Sequence, residues 1–553
     1  MCVLAVLVMS TQALAAGPAT KSEVRLVLQI TVDGLRRDLV DRYRDRFGDG
    51  GFRFLLESGT FFTNAHYQHA NTETIVGHTT LATGAYPAVH GMTGNVWYDN
   101  ESGELGYNIE DPEHLPLPTR ADQRAGAKID PSQTVARTTG RSPVAILAET
   151  FSDRLKAWSG GRSRVVAVSG KDRGAVSMAG HVGKAFWMST DNGDFVTSSY
   201  YYDEYPNWVQ DWNSRRQVEA LGGKSWELLN DPSTYLLAHQ DDRPYESDLR
   251  GYGRVFPHRY AAADSPLLPT QVIASPAGDR LTLDFAKALL RSENLGNGQA
   301  TDYLSISFSG VDVVNHFFGP SSLENEDMVL QLDRTLADLF ALLDETIGLD
   351  HTLIVLSADH GTPDMPEYMT ELGFPAGRLE PDEIIATANR AGEQLFDLPD
   401  IVRFFYQPWL YLDTEKIVSS GRQPDEVRNA IAARLMRQPG IALSVARNEL
   451  AGPQPTAVRQ QIQNTFHPDR SGDIYVVQDL YWFSFSKGPI RAAHGSPWRY
   501  DTHVPIIFAG AGISNTVVQR LVHPADVAPT LSALLGMTAP GGASGTVLPE
   551  VLR

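Results

Sequence analysis

The chain has 553 residues, of which 42% are hydrophobic and 20% are charged, a composition typical of a globular protein. Its formal net charge of −19 argues against nucleic acid or an anionic membrane as a partner. An anionic ligand is not excluded, because a bound metal ion can supply local positive charge in an acidic protein.

The first residues are typical of a secretion signal. Residues 3–8 form an apolar run, and Ala13-Leu14-Ala15 offers a small-residue cleavage site. The positively charged start of such a signal is missing, so a buried N-terminal strand or helix is the alternative. With residues 1–15 as a signal peptide, we expect a periplasmic or secreted protein, and no other stretch is apolar enough to span a bilayer. The single cysteine, Cys2, lies inside this signal, which excludes disulfides and thiolate metal sites from the mature chain.

Four short apolar runs are each followed by polar residues that can bind a metal or an anion. They are residues 24–32, 165–168, 303–308 and 352–356, followed by Asp33, by Lys171-Asp172-Arg173, by Asp312 and by Asp359-His360. Each run has the length of a buried strand, and a fifth run, residues 505–508, follows His494. Helical patterns occupy residues 328–343 and 527–535. Strands alternating with helices predict a three-layer α/β/α fold with a mainly parallel central sheet, in which ligands bind beyond the carboxyl ends of the strands.

The stretches between these elements are interpreted as insertions. Residues 101–139 are polar and rich in Pro and Gly, residues 200–264 are dense in aromatics, and residues 365–486 mix helical and strand patterns. The strands that carry the motifs begin near residue 24 and end near residue 508, so they cannot belong to separate domains. The sequence therefore predicts a single α/β domain over residues 16–553, with cap segments near 101–139, 200–264 and 365–486.

Six residues beyond the predicted strands are candidate metal ligands: Asp33, Asp312, His316, Asp359, His360 and His494. Asp312 and His316 are spaced i, i+4, which suits a shared metal on one face of a helix, although a surface ion pair explains the same spacing. An aspartate after a strand, such as Asp33, more often caps a helix or turn than binds metal when it is taken alone. His503 competes with His494, but it directly precedes a strand, so we prefer His494.

Together these residues form two sites of nitrogen and oxygen ligands without sulfur. That ligand composition suits zinc, and we predict two zinc ions per chain. The sequence does not define a structural calcium site or the oligomeric state, and a monomer is compatible with it.

Lys171 and Arg173 are candidates for binding an anion. They alternate with Asp172, so on an extended stretch both would face the same side. Arginine offers a planar fork for two oxygens, whereas lysine offers a movable point charge. A solvated surface turn is the alternative.

Three motifs carry a resemblance to a known family. Residues 71–78 (NTETIVGH), 94–99 (GNVWYD) and 171–174 (KDRG) resemble the alkaline phosphatase superfamily, in particular the phosphatases of the PafA/PhoK type. The order of the motifs is similar across nearly the whole mature chain. The resemblance implies Asp312, His316 and His494 on one zinc, Asp33, Asp359 and His360 on the other, phosphate oxygens held by Asn95, Lys171 and Arg173, and Thr74 as nucleophile and further metal ligand.

The physical chemistry of threonine agrees with this role for Thr74. A threonine hydroxyl is a poor nucleophile at its ordinary pKa, but coordination to zinc activates it without a general base. A phospho-threonine intermediate is then expected, which water hydrolyses. Thr72 is the rival nucleophile. Capping of a helix is the alternative role of Thr74, and both roles are compatible because a helix N-terminus favours phosphate.

The expected function is metal-dependent hydrolysis of small-molecule phosphate monoesters. A nucleotide phosphodiesterase or pyrophosphatase of the same superfamily is the first alternative, with a nucleoside pocket formed by the aromatic segment from Tyr200. Additional cations stabilise a dianionic monoester more than a monoanionic diester, so Lys171 and Arg173 together favour the monoesterase. A non-catalytic secreted phosphate-binding protein is the second alternative, disfavoured by the presence of Thr74 and all six ligands.

Overall fold

The computed structural model describes residues 23–99, 102–119, 130–484 and 488–552, so the predicted signal peptide, residues 1–15, lies outside the described residues. The strands are, in chain order, β1 (Leu26–Val32), β2 (Thr60–His66), β3 (Val96–Asp99), β4 (Glu104–Tyr107), β5 (Val165–Ser169), β6 (Lys184–Met188), β7 (Phe195–Val196), β8 (Ser225–Trp226), β9 (His258–Arg259), β10 (Asp302–Phe308), β11 (Thr352–Ser357), β12 (Gly377–Arg378), β13 (Val402–Tyr406), β14 (Trp409–Leu412), β15 (Ile441–Ala446), β16 (Ile474–Gln478), β17 (Trp482–Phe483), β18 (His503–Ala509) and β19 (Thr516–Val518).

The α-helices of the described chain alternate with these strands. They are α1 (Arg37–Arg42), α2 (Phe52–Ser58), α3 (Thr74–Thr83), α4 (Pro87–His90), α5 (Pro131–Val135), α6 (Phe151–Trp158), α7 (Asp172–Ala179), α8 (Asn207–Ser214), α9 (Leu268–Ile273), α10 (Pro276–Ser292), α11 (Gly310–Phe318), α12 (Leu323–Thr346), α13 (Pro366–Glu371), α14 (Pro381–Phe396), α15 (Thr414–Ser419), α16 (Pro424–Leu435), α17 (Ala457–Thr465), α18 (Arg499–Thr502) and α19 (Val527–Leu534). Within the described ranges, no helix is both long enough and apolar enough to cross a membrane.

A nine-stranded sheet forms the centre of the fold, in the order β19-β2-β18-β11-β1-β10-β5-β6-β7. The four pairs that run from β11 through β1, β10 and β5 to β6 are parallel. Strand β18 is antiparallel to both β11 and β2. The predicted α/β class with a mainly parallel sheet is confirmed.

Helices cover both faces of this sheet. Leu28 and Ile30 of β1 belong to one hydrophobic cluster, which includes residues of α2, α10 and α12. Val27 faces the opposite cluster, which includes residues of α3, α6 and α19. Successive side chains of a strand point to opposite faces, and all seven residues of β1 are buried, so both faces of this strand are covered.

The carboxyl ends of the parallel strands meet at one edge. The register pairs Val32 with Phe308 and Ser307 with Ser169, so the loops after β1, β10 and β5 begin side by side. Strand β18 runs in the opposite direction, so its first residue lies at the same edge. This topology explains why residues that are hundreds of positions apart share one site.

The predicted cap segments differ in how they fold. Within residues 365–486, strands β13, β14, β16 and β15 form a separate four-stranded sheet with its own hydrophobic cluster against α14 and α16. Residues 200–264 pack instead onto the main core, where Trp212, Trp226, Tyr235 and Tyr252 are buried.

The predicted geometry of Lys171 and Arg173 is wrong. Lys171 has extended backbone dihedrals, but Asp172 already begins α7, so Arg173 lies in the first helical turn. The alternation of an extended chain does not apply to the pair. Both side chains nevertheless reach the same cavity because one precedes the helix and the other leaves its first turn.

Candidate active site

One candidate metal group joins α11 to the loop before β18. Ligand atoms of Asp312, His316 and His494 lie within 4.8 Å of one another. Helix α11 places Asp312 and His316 one turn apart, and His316 Nε2 lies 3.3 Å from Asp312 Oδ2. His494 Nε2 lies 3.4 Å from Asp312 Oδ1. These are the three residues that the resemblance assigned to one zinc.

A second group lies beside it and includes Asp33, His360 and again Asp312. His360 Nε2 is 3.4 Å from Asp33 Oδ1 and 3.3 Å from Asp359 Oδ2. Asp359 therefore adjoins the second group, and its Oδ1 accepts hydrogen bonds from the backbone of Gly34 and His360. Asp312 lies between the two groups and can contribute to both.

The donor set fits divalent metal ions. His494 Nδ1 donates to the carbonyl of Thr72 and His360 Nδ1 donates to the carbonyl of Gly361. Burial lowers the pKa of both imidazoles, so each is neutral and its Nε2 carries a lone pair. Two facing oxygens, Asp33 Oδ1 and Asp312 Oδ1, are buried and have no hydrogen-bond donor among the described residues. Lone pairs that face buried carboxylate oxygens require a cation between them.

The carboxyl groups of Asp33 and Asp312 have pKa values shifted in opposite directions. Burial raises the pKa of Asp33 well above its usual range, and the negative charge of Asp359 adds to this. Burial acts in the same direction on Asp312, but His316 and Lys171 outweigh it and hold the pKa of Asp312 well below its usual range. Asp312 is therefore ionised, which is the form that binds metal.

Thr74 lies where the metal groups and the cations meet. It is the first residue of α3, and its Oγ1 is 3.5 Å from His360 Nε2 and 3.4 Å from Arg173 Nη2. The cap position of α3 is Glu73, so the alternative role of Thr74 as a helix cap is wrong. The hydroxyl of Thr72 is engaged elsewhere, because it donates to the carbonyl of Ser496.

The three predicted phosphate-binding residues line one cavity of about 270 Å³. Asn95 Oδ1 accepts a hydrogen bond from the backbone N–H of Ile75, which fixes the side-chain amide and leaves Nδ2 as a donor without an acceptor among the described residues. Lys171 Nζ lies 2.7 Å from Asp33 Oδ2. Asn95, Lys171 and Arg173 thus form a polar end of the cavity beside Thr74.

The cavity also has apolar lining residues. It is lined by Val313, Phe317, Pro381, Phe405, Phe483 and Ile490, several of which come from the segment 365–486. The described lining includes no residue of 200–264, whose large aromatics lie in the core. The expectation of a nucleoside pocket formed by the Tyr200 segment is therefore wrong, because those rings are already packed against other side chains.

Residues 27–497 match the type I phosphodiesterase / nucleotide pyrophosphatase family. The chain belongs to this family.

The similar proteins include several that are named alkaline phosphatase. Alkaline phosphatase PafA of Elizabethkingia meningoseptica is 32% identical over 535 residues, which cover 96% of this chain and 94% of the relative. A Myroides odoratus protein named calcium-transporting ATPase is 33% identical over 534 residues, covering 96% and 95%. The crystal structure of wild-type PafA aligns with a TM-score of 0.86 at 30% identity, covering 98% of this chain and 100% of that one. The predicted resemblance to PafA-type alkaline phosphatases is confirmed.

Sequence reasoning missed three carboxylates of this phosphodiesterase-family site. Glu73 accepts hydrogen bonds from the backbone of Asn95 and from Asn71 Nδ2, and burial raises its pKa to about 7. Asp279 accepts from the first N–H groups of α11 and so holds the helix that carries Asp312. Asp130 forms an ion pair with Arg173. Only Glu73 had a signal, its position next to Thr74 in the motif.

Three residues that the sequence left unassigned have supporting contacts. His78 lies between the carbonyl of Thr74, 2.9 Å from Nδ1, and the hydroxyl of Ser307, 2.8 Å from Nε2. His181 pairs with Asp153, and Asp364 pairs with Arg36. Among these, only His78 touches the site, with Nδ1 3.0 Å from Asp359 Oδ2.

Proposed function

We propose that the chain is a phosphate monoester hydrolase that acts through Thr74 at a two-zinc site. The relatives named alkaline phosphatase support the reaction class. The relative named calcium-transporting ATPase is compatible with it, because ATP hydrolysis releases a terminal phosphoryl group that carries the same dianionic charge as a monoester.

The observation that carries the proposal is the position of the Thr74 hydroxyl. Its oxygen lies between a metal-ligating imidazole, His360, and the Arg173 guanidinium. A nucleophile for phosphoryl transfer needs activation on one side and charge stabilisation of the phosphate on the other. Both are within reach of this one oxygen.

The residues that would hold the metals are Asp312, His316 and His494 in one group and Asp33, Asp359 and His360 in the other. When bound, two divalent ions supply positive charge and Lewis acidity that lower the pKa of a coordinated hydroxyl. Zinc is the ion that this nitrogen and oxygen donor set favours.

Thr74, Lys171, Arg173 and Asn95 have separate roles in the proposed reaction. The oxygen of Thr74 loses its proton and attacks phosphorus, the ester P–O bond breaks, and the departing alkoxide takes up a proton to leave as the alcohol. Lys171, Arg173 and the Nδ2 group of Asn95 bind the non-bridging oxygens, whose charge they stabilise. Attack of water on phospho-Thr74 in the second step releases phosphate and restores the hydroxyl.

Charge favours a monoester over a diester. Lys171 and Arg173 face the phosphate end of the cavity, and two cations suit a dianion better than a monoanion. The apolar side chains of the cavity lining offer a surface for the organic group of the ester.

We also propose export and a single-domain organisation. The mature protein would begin near Ala16 and be periplasmic or secreted, with residues 16–553 as one catalytic domain and its cap segments. N-terminal sequencing of the exported protein should show cleavage between residues 13 and 20, and an intact Met1 on a cytoplasmic protein would reject this.

Turnover of a matched aryl phosphate monoester and diester by the purified zinc-loaded protein tests the function. We expect kcat/KM for the monoester to exceed that for the diester. The reverse order would favour the nucleotide phosphodiesterase, and phosphate binding without turnover of either substrate would favour the non-catalytic binding protein.

A further inference from the structure

We propose that Asp130, which lies in the inserted segment 101–139, is a positioning residue that orients the Arg173 guanidinium toward bound phosphate. The inference rests on the proposed function, because it gives Asp130 a role in selecting the dianionic phosphoryl group. It assigns a part of substrate recognition to a segment outside the strand-end loops.

The geometry separates the two edges of the guanidinium. Arg173 Nη1 donates to Asp130 Oδ2 at 2.7 Å and lies 3.4 Å from the hydroxyl of Tyr107. Arg173 Nη2 points to Thr74 Oγ1 at 3.4 Å. The remaining donor, Nε, is buried and has no acceptor among the described residues.

The edge formed by Nε and Nη2 can bind phosphate, because Nε has no acceptor among the described residues and Nη2 makes a long hydrogen bond of 3.4 Å to Thr74 Oγ1. Nε and Nη2 lie on the same edge of a guanidinium and form a fork that matches two oxygens of one phosphoryl group. Since Nη1 is the nitrogen held by Asp130, the anchor leaves this fork unused. The fork therefore faces the space next to the nucleophile.

Asp130 is itself held in place by its own turn. Its Oδ1 accepts hydrogen bonds from the backbone N–H of Ser132 at 2.9 Å and from the Ser132 hydroxyl at 2.6 Å. Only Oδ2 is left for Arg173, so the carboxylate cannot rotate without losing a bond. Burial raises the pKa of Asp130, but Arg173 and the Ser132 hydrogen bonds outweigh it and keep the group ionised.

The neighbouring carboxylate does not replace this anchor. Asp172 precedes Arg173 in the chain, but its Oδ2 accepts from Arg141 Nε at 2.7 Å and its Oδ1 from the Tyr107 hydroxyl at 2.7 Å. Among the described residues, Asp130 is thus the carboxylate that forms an ion pair with the Arg173 guanidinium. Without it, the fork loses its fixed orientation while the helix that carries Arg173 stays intact.

The test is Asp130→Asn, which keeps the shape of the turn and removes the charge. We expect kcat/KM for the aryl monoester to fall about 10- to 100-fold and for the diester only a few-fold, the range expected for one misplaced charge-assisted contact. Binding of inorganic phosphate, measured by calorimetry, should weaken in parallel. Bound zinc should be unchanged.

The chain offers a matched control in Asp231. Its Asp-Pro-Ser turn repeats that of Asp130, with Oδ1 accepting from Ser233 N at 2.9 Å and Ser233 Oγ at 2.6 Å. Asp231→Asn should leave both substrates and phosphate binding unchanged, which separates loss of the turn from loss of the anchor.

A double variant tests whether Asp130 acts by orienting Arg173 or has a structural role that does not depend on Arg173. When Asp130→Asn is added to Arg173→Ala, monoester kcat/KM should fall less than threefold further, because the guanidinium that Asp130 orients is already absent. An equal loss with and without Arg173, or an Asp130→Asn variant within twofold of the wild type, would overturn the proposal. If the wild type turned over no monoester, the proposed function would fail on its own, and phosphate calorimetry on the same variants would still test the anchor.

Discussion

The side-chain nitrogen of Lys171 lies 2.5 Å from Oδ2 of Asp312, the carboxylate that both candidate metal groups share. Burial lowers the pKa of Lys171, but Asp312 and Asp33 outweigh it and raise that pKa above its usual range. This shift favours the cationic form of Lys171. Lys171 connects the phosphate-binding end of the cavity to the metal ligands.

Removing both cations should change substrate preference. In the Lys171→Ala/Arg173→Ala variant we expect monoester kcat/KM to fall by several decades, since each charge-assisted contact with phosphate contributes about 1.5–3 kcal/mol. The diester should lose much less, because its second ester group masks part of the charge. Lys287→Ala, at an ion pair with Asp338 on α12, is the control and should match the wild type. Equal losses on both substrates would contradict the monoesterase assignment.

Metal content should follow the two ligand groups. His494→Ala should lower bound zinc from two ions to about one, measured by elemental analysis of the purified protein. His503 is the control, because its ring stacks on His66 with centroids 4.3 Å apart, and its Nε2 donates to the carbonyl of Thr63. His503→Ala should keep both ions. Loss of metal from His503→Ala and not from His494→Ala would reverse the assignment.

The helix that carries Thr74 depends on a glycine. A Cβ atom at Gly77 would lie 1.9 Å from the carbonyl oxygen of Asp359, which follows β11. Gly77→Ala should therefore destabilise the fold by about 1–3 kcal/mol and lower activity, since overpacking moves the nucleophile relative to the ligands. Gly106→Ala is the control, because its nearest neighbour would be 3.7 Å away. Thermal denaturation measures both, and equal melting temperatures would contradict this account of the close approach.

Stability should depend on pH through a buried pair of glutamates. Burial and the neighbouring Glu324 raise the pKa of Glu246 to about 9. The unfolded value is about 4.3, so the protonated folded form adds stability that is complete below that pH and is lost as the pH rises toward 9. Glu246→Gln should thus raise the melting temperature more at pH 8 than at pH 5.

The exposed residue Glu57 provides the comparison, and Glu57→Gln should shift the melting temperature equally at both pH values. A Glu246→Gln effect that is the same at pH 5 and pH 8 would show that the carboxyl group titrates normally in the folded protein.

Much of the fold follows from local pattern. The apolar runs correspond to β1, β5, β10, β11 and β18, and the heptad-like spacing before residue 352 corresponds to α12. Strand ends in a parallel sheet meet at one edge, so Asp33 and Asp312 could be placed together without a structure.

Contacts made by insertions could not be predicted in this way. Asp130 reaches Arg173 across 43 positions from a segment without periodicity, and no local rule relates the two. For the Tyr200 segment, the sequence suggested a nucleoside pocket that the site does not contain, because aromatic density alone does not distinguish a ligand pocket from core packing. The start of α7 at Asp172 was missed since the preceding strand and the helix are separated by two residues, Gly170 and Lys171.

The central claim is that Thr74 forms a covalent bond to phosphorus, and trapping that bond tests it most directly. Wild-type enzyme is mixed briefly with a ³²P-labelled aryl monoester, quenched in acid and digested, and the labelled peptide is sequenced. We predict label on Thr74, no label and near-abolished turnover in Thr74→Ala with zinc retained, and normal labelling in Thr72→Ala. Label on Thr72, or turnover that persists in Thr74→Ala, would contradict the account.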